Sequence, residues 1–173
     1  MSAPAQLSDG KARLLDAGLR DVDGADLLVA SQGQAIEVVA TFEALADLGH
    51  PGSGLELRDA TGSMLHGTST YLHETQLAPA LRAGGRVTFR HRLTLDVLPG
   101  DYAIIVAMAT VALDVAYRDA SVGHDEFFAH VTEHCRLEAP LALTVLSHRR
   151  GKLDHYGLVG LAGSATTSVE FDE

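Results

Sequence analysis

Apolar and polar residues alternate along much of the chain. In residues 35–42, Ile36, Val38, Ala40 and Phe42 fall on one side, with Glu37 and Thr41 on the other. In residues 87–97, Val87, Phe89, His91, Leu93 and Leu95 alternate with Thr88, Arg90, Arg92, Thr94 and Asp96. A period of two sends successive side chains to opposite faces of an extended backbone, so each segment predicts a strand with one buried face. Burying such a face at ~25 cal/mol per Å² contributes several kcal/mol and pins the register, because a one-residue slip would turn every apolar side chain to water. The same alternation predicts strands at residues 12–19, 54–58, 63–68, 102–109, 141–146 and 156–161. Asp59-Ala60-Thr61-Gly62 supplies the turn of a hairpin. Residues 125–136 fit two readings: Phe127, Ala129 and Val131 alternate as in a strand, whereas His130 and His134 stand at helical spacing.

Many short strands separated by turns, with no interleaved set of helical patterns, predict an all-β fold, an immunoglobulin-like antiparallel β-sandwich. Leu98-Pro99-Gly100-Asp101-Tyr102 is a turn followed by Tyr at the start of an apolar strand. That is the arrangement of a tyrosine corner, in which the hydroxyl ties back to upstream backbone. If Tyr102, Ile104, Val106 and Met108 face inward, Ala103, Ile105, Ala107 and Ala109 form an outward trough of small side chains. Such a trough admits an extended polymer, or is covered by another subunit or by the end of the chain. The stretch MSAPAQLSDG, residues 1–10, is small, polar and Pro-containing, the composition of a linker, which leaves residues 11–173 as the folded domain.

Composition narrows the function. With 173 residues, 46% of them hydrophobic, the chain is long enough for a buried core. Its 23 acidic against 13 basic side chains give a formal net charge of −10, which repels phosphate backbones and excludes nucleic acid as a natural partner. The longest apolar run, residues 103–113, is about half of the roughly 20 residues needed to span a bilayer, and no basic-then-apolar leader opens the chain. The expected location is therefore the cytoplasm. The single cysteine, Cys135, rules out an internal disulfide and fits a reducing compartment. The phosphate-cradling G-x-x-x-x-G-K-[ST] is absent, so the residues present are not those of an ATPase, and neither G-x-S-x-G nor a plausible Cys nucleophile occurs.

Some residues carry candidate chemistry. His130-Val131-Thr132-Glu133-His134 spells H-x-x-E-H. On a helix its histidines would share one face and chelate zinc, with Glu133 as general base, so a zinc-dependent hydrolase is one alternative. His91, in the apolar register of its strand, reads as a core histidine hydrogen-bonded to backbone, and Arg90 and Arg92 form a basic stripe on the opposite face, either a solvated sheet face or a site for an acidic or phosphorylated sugar, which the Arg fork suits. Binding a neutral polysaccharide requires planar groups against sugar C–H faces and polar side chains for hydroxyls. Tyr71 and His73 in the loop after the hairpin, and Tyr117, Arg118 and Asp119 after the alanine-lined strand, supply both kinds. Glu56 and Arg58, outward on their strand, complete the candidate set if that strand pairs near the trough.

In order, LLDAGLRDVDG, GQAIEVVATFEA, GLELRDATGSMLHGTSTYL, AGGRVTFRHRLTLDVLPGDYAIIVAM and HYGLVGL resemble the C-terminal carbohydrate-binding domain of the ATP-binding subunit of O-antigen polysaccharide ABC transporters, the Wzt type. The family's usual Asn-Thr after Gly-Thr is replaced here by Ser69-Thr70. The resemblance implies non-catalytic recognition of bacterial O antigen in the cytoplasm, at the inner face of the inner membrane, without metal or cofactor. It also implies a homodimer working beside the transporter's ATPase and membrane subunits. A purely structural dimerisation module is the other alternative.

Overall fold

The computed structural model describes residues 4–73, 78–112, 126 and 129–147, and these form a two-layer β-sandwich. Ten strands occur among them: β1 (Gln6–Ser8), β2 (Ala12–Arg20), β3 (Val29–Ser31), β4 (Ala35–Ala44), β5 (Pro51–Asp59), β6 (Met64–Ser69), β7 (Arg86–Thr94), β8 (Gly100–Val111), β9 (Val131–Leu137) and β10 (Leu141–Leu146). A single 3-10 turn, Thr70–His73, follows β6. The strand expected at residues 156–161 lies outside the described residues.

The smaller sheet has the order β2-β4-β7, antiparallel throughout. The larger is built around β8, whose twelve residues are long enough to serve two neighbours on one side. Its upstream part pairs with β10 through Leu141↔Ile104 and its downstream part with β9 through Ala107↔Arg136. On its other side β8 pairs with β5 over the whole of β5, and β6 closes that edge as a hairpin. One pairing departs from the antiparallel expectation: β3 runs parallel to β10, through Ala30↔Val145. The chain crosses between sheets after β2, so β3 arrives at the edge of β10 from the other layer, where no hairpin dictates direction. The linker composition of residues 1–10 hides β1, which pairs with β9 through Leu7↔Arg136. Three residues with one edge to satisfy need no hydrophobic pattern, because their main-chain groups bond to an existing strand.

The two predicted apolar faces meet in the core. Ile36, Val38, Ala40 and Phe42 of β4 are buried, as are Tyr102, Ile104, Val106 and Met108 of β8 opposite. Phe42 meets Phe89 edge to face at 6.2 Å. The tyrosine corner is present: the Tyr102 hydroxyl donates to the Leu98 carbonyl. Tyr102→Phe is expected to lower stability by about 1 kcal/mol, the net worth of one such bond, read as a shifted midpoint with unchanged slope in urea unfolding. At the β5–β6 turn, Asp59 Oδ1 accepts from the main chain of Thr61 and Ser63, and Gly62 takes the left-handed φ of 86° that closes the turn. No helix among the described residues is long and apolar enough to cross a membrane.

The outer face of the smaller sheet is a ladder of charge pairs. Glu37 on β4 binds Arg90 at 2.6 Å and Arg92 at 3.2 Å, and Glu43 is shared by Arg13 and Arg86. Cross-strand neighbours thus neutralise much of the basic stripe, and they pull the Glu37 carboxyl below its ordinary range, chiefly through the Arg90 hydrogen bond.

Candidate functional site

The outward row on β8 lies at the bottom of a concavity of about 440 Å³, on the face of the larger sheet turned away from the core. Ile105, Ala107 and Ala109 contribute from β8, Gly54 and Glu56 from β5, Gly67 to Ser69 from β6, and Val131, Glu133 and Arg136 from β9; Tyr71 and Leu72 stand over one side. Register explains the shape. Gly54 is opposite Ala107, which is opposite Arg136, so one cross-strand row offers almost no side chain until β9. The next row on the same face brings Glu56 against Ile105. Same-face rows are about 7 Å apart along a strand, so the small row is a slot between taller ones.

Tyr71 forms the wall on the other side. Its ring lies over Gly52: a Cβ built there would sit 2.4 Å from ring carbons Cε2 and Cζ, so only glycine lets the ring down onto β5. The hydroxyl donates to the carbonyls of His50 (3.1 Å) and Ala109 (3.2 Å). Burial pushes this phenol up to about 12, and it stays protonated as the clamp requires. Thr70 adds a second anchor, its Oγ1 accepting from the Ser53 amide at 3.1 Å. The loop expected to offer Tyr71 as a planar group for sugar is thus a wall of the trough with one ring face already occupied.

Four charged side chains stand in series, Glu56, Arg136 and Glu133 lining the trough and Arg58 behind Glu56. Arg58 Nη2 lies 2.6 Å from Glu56 Oε2, Arg136 Nη2 lies 3.1 Å from Glu56 Oε1, and Arg136 Nε lies 3.3 Å from Glu133. The Arg136–Glu56 contact runs diagonally over β8, from the row of Ala107 to that of Ile105, because the small Ala107 opposite Arg136 leaves the guanidinium room to reach across.

The candidate residues therefore separate. Glu56 and Tyr71 line the trough, and Arg58 stands behind Glu56 and holds it. His73 is turned to a different depression of about 310 Å³ between the sheets, beside Leu57, Leu65 and Arg92, with Nε2 at 2.9 Å from Thr68 Oγ1. Tyr117, Arg118 and Asp119 lie outside the described residues.

The H-x-x-E-H string lies at and along a strand, and this overturns the helical chelate. Residues four apart on a strand are about 13 Å from each other, too far for His130 and His134 to share a metal. A β-bulge disposes of the string instead. Met108 pairs with Cys135 and Ala109 with Glu133, so His134 is the extra residue and turns inward beside Cys135. There His134 Nε2 meets Thr110 Oγ1 at 2.9 Å and Nδ1 meets Asp9 Oδ2 at 2.8 Å, which fastens the N-terminal strand to β9. The same bulge turns Glu133 and Arg136 onto one face. Strict alternation along a strand opposes residues 133 and 136, so Arg136 carries no local signal as a neighbour of Glu133, which enters the sequence reading only as general base of the hydrolase alternative. Among the described residues no three His, Cys, Asp or Glu side chains gather as a metal site.

His91 is buried as expected, but its partner is a side chain: Nε2 lies 3.0 Å from Ser53 Oγ.

A crystal structure of the C-terminal domain of Wzt has the same fold, with a TM-score of 0.70 at 18% identity, covering 97% of this chain and 90% of that one. A CARDB domain from Pyrococcus furiosus, solved with di-metal ions, overlaps at a TM-score of 0.42 and 10% identity over 81% of this chain and 93% of that one. A β-glucosidase from Listeria innocua does so at 0.38 and 14%, over 84% and 16%. Overlaps this partial carry no argument. No curated protein matches the chain in sequence. The family model of the Wzt C-terminal domain matches residues 5–161, and by that match the chain belongs to the Wzt C-terminal domain family.

Proposed function

We propose that this domain binds a segment of bacterial O-antigen polysaccharide in the trough on the larger sheet, without catalysis, so that an ABC transporter can export it. The observation that carries the reading is the slot itself: in a member of this family, the one row of the sheet face built from Gly54 and Ala107 is flanked by Tyr71 on one side and by hydrogen-bonding Glu56 on the other, and it ends at Arg136. Small apolar side chains accept the C–H faces of a sugar, and the rim carboxylates and guanidinium meet hydroxyls in a wet groove. Tyr117, Arg118 and Asp119 belong to the proposal as further contacts. The setting is the cytoplasmic side of the inner membrane, with a homodimer beside the transporter's ATPase and membrane subunits.

With no Trp and with the Tyr71 ring partly covered, each site is weak, on the order of 10 μM to 1 mM, and two sites in a dimer add avidity on a repeating polymer. The test is calorimetric titration with O polysaccharide from the strain that carries this chain. Ala107→Leu fills the slot and is expected to weaken binding at least tenfold while the far-ultraviolet circular dichroism stays unchanged. Full binding by this variant would move the site elsewhere, and no heat with wild type at millimolar sugar would leave a dimerisation module as the reading.

A further inference from the structure

We infer that the trough accepts electrically neutral sugars and rejects anionic ones, and that Glu56 sets this selectivity. The inference rests on the reading of the trough as a glycan site. Among the described lining residues Arg136 is the only cation, and it already faces two carboxylates, Glu56 at 3.1 Å and Glu133 at 3.3 Å. Arg58 behind it is engaged with Glu56 through both Nε (2.9 Å) and Nη2 (2.6 Å). The series Arg58–Glu56–Arg136–Glu133 contains equal numbers of each charge and leaves no guanidinium waiting for an acid.

A uronate or phosphate entering the slot would have to displace Glu56 or Glu133 from Arg136. Three negative groups, the incoming anion with Glu56 and Glu133, would then crowd around Arg136 at a half-buried floor, where like charges repel more strongly than in water. A hydroxyl meets no such obstacle. An ionised carboxylate has about four lone-pair sites and a guanidinium five N–H donors, so the paired groups keep capacity for neutral partners without parting. The formal charge of −10 on the chain works in the same direction at longer range.

The experiment uses the full chain on an array of immobilised bacterial O polysaccharides, some with neutral repeats and some carrying uronic acid or phosphate. Wild type is expected to be retained on neutral glycans and not on anionic ones. Glu56→Gln keeps the shape of the side chain, frees charge on Arg58 and Arg136, and is expected to raise retention on anionic glycans about tenfold, an increase that salt abolishes. Glu56→Asp keeps the charge and should keep the discrimination, which separates charge from fold. Wild-type retention on anionic glycans equal to that on neutral ones overturns the inference, as does a folded Glu56→Gln that gains nothing. In both cases the trough reading survives if Ala107→Leu still abolishes retention. Retention of no glycan, or retention indifferent to Ala107→Leu, overturns the trough reading itself.

Discussion

Gly52→Ala is expected to destabilise the domain by about 2 to 3 kcal/mol, although it adds one methyl group to a strand where alanine is ordinarily preferred to glycine. The added Cβ would lie 2.4 Å from the Tyr71 ring, well inside any real contact. Relief by moving the backbone is blocked, since Gly52 pairs with Ala109 in the β5–β8 ladder. The ring must therefore leave, and with it go a half-buried aromatic contact and the hydroxyl's bonds to His50 and Ala109. Tyr71 is also a wall of the slot, so glycan binding should fall in the same variant. A double-mutant cycle isolates the cause: once Tyr71→Ala has removed the ring, Gly52→Ala should have little further effect, giving a coupling of about 2 kcal/mol in denaturant unfolding. Equal losses in both backgrounds would show that the ring is not what the methyl group disturbs.

The second large effect is acid sensitivity through His91. Burial, reinforced by the nearby His73, lowers this imidazole from 6.5 to about 4. In the unfolded chain it takes up a proton near pH 6.5, and in the folded protein only near pH 4, so the unfolded state binds more protons between those values. Its contribution is thus fully present above pH 6.5 and is lost as the pH falls toward 4. The loss is about 2 kcal/mol at pH 5 and about 3 kcal/mol near pH 4. Asp9, Glu37 and Asp59, whose carboxyls are held below their ordinary range, add losses of the same sign at lower pH. Subtracting the stability–pH curve of His91→Gln from that of wild type cancels those carboxylates, and a difference that stays flat between pH 7 and 5 would contradict the assignment. The Ser53 hydroxyl 3.0 Å away satisfies the ring in its neutral form, which is why a buried histidine is tolerated in the apolar register of β7.

Much of the sandwich is written in local pattern. β4, β7 and β8 could be read with their inward faces correct, because alternation over eight or more residues is dictated by a single buried side and does not depend on which strand lies next. Tyr102 and the Asp59–Gly62 turn were legible for a similar reason: both are short-range devices whose partners lie within a few residues, Leu98 for one and Thr61 and Ser63 for the other. Glu56 and the alanine row of β8 could be named as one surface, since outward positions follow once inward ones are known. The family resemblance rested on the order of these same segments.

What lay beyond the sequence depends on register between distant strands. Arg136 meets Glu56 across 80 positions of chain, over a slot that exists because Gly54, Ala107 and Arg136 fall in one row. Nothing within β9 announces the bulge at His134; it is defined only against β8, yet it decides that Glu133 and Arg136 share a face and that the H-x-x-E-H string is structural. Gly52 reads as an ordinary turn-like glycine until Tyr71 descends on it from a turn nineteen residues later. β1 and the parallel β3–β10 pair are held by main-chain bonds to edges made by other strands, so their own side chains carry no pattern to read. Periodicity reports which side of a strand is dry, whereas a site is made by which residues of different strands come to stand side by side, and only the packed sheet determines that.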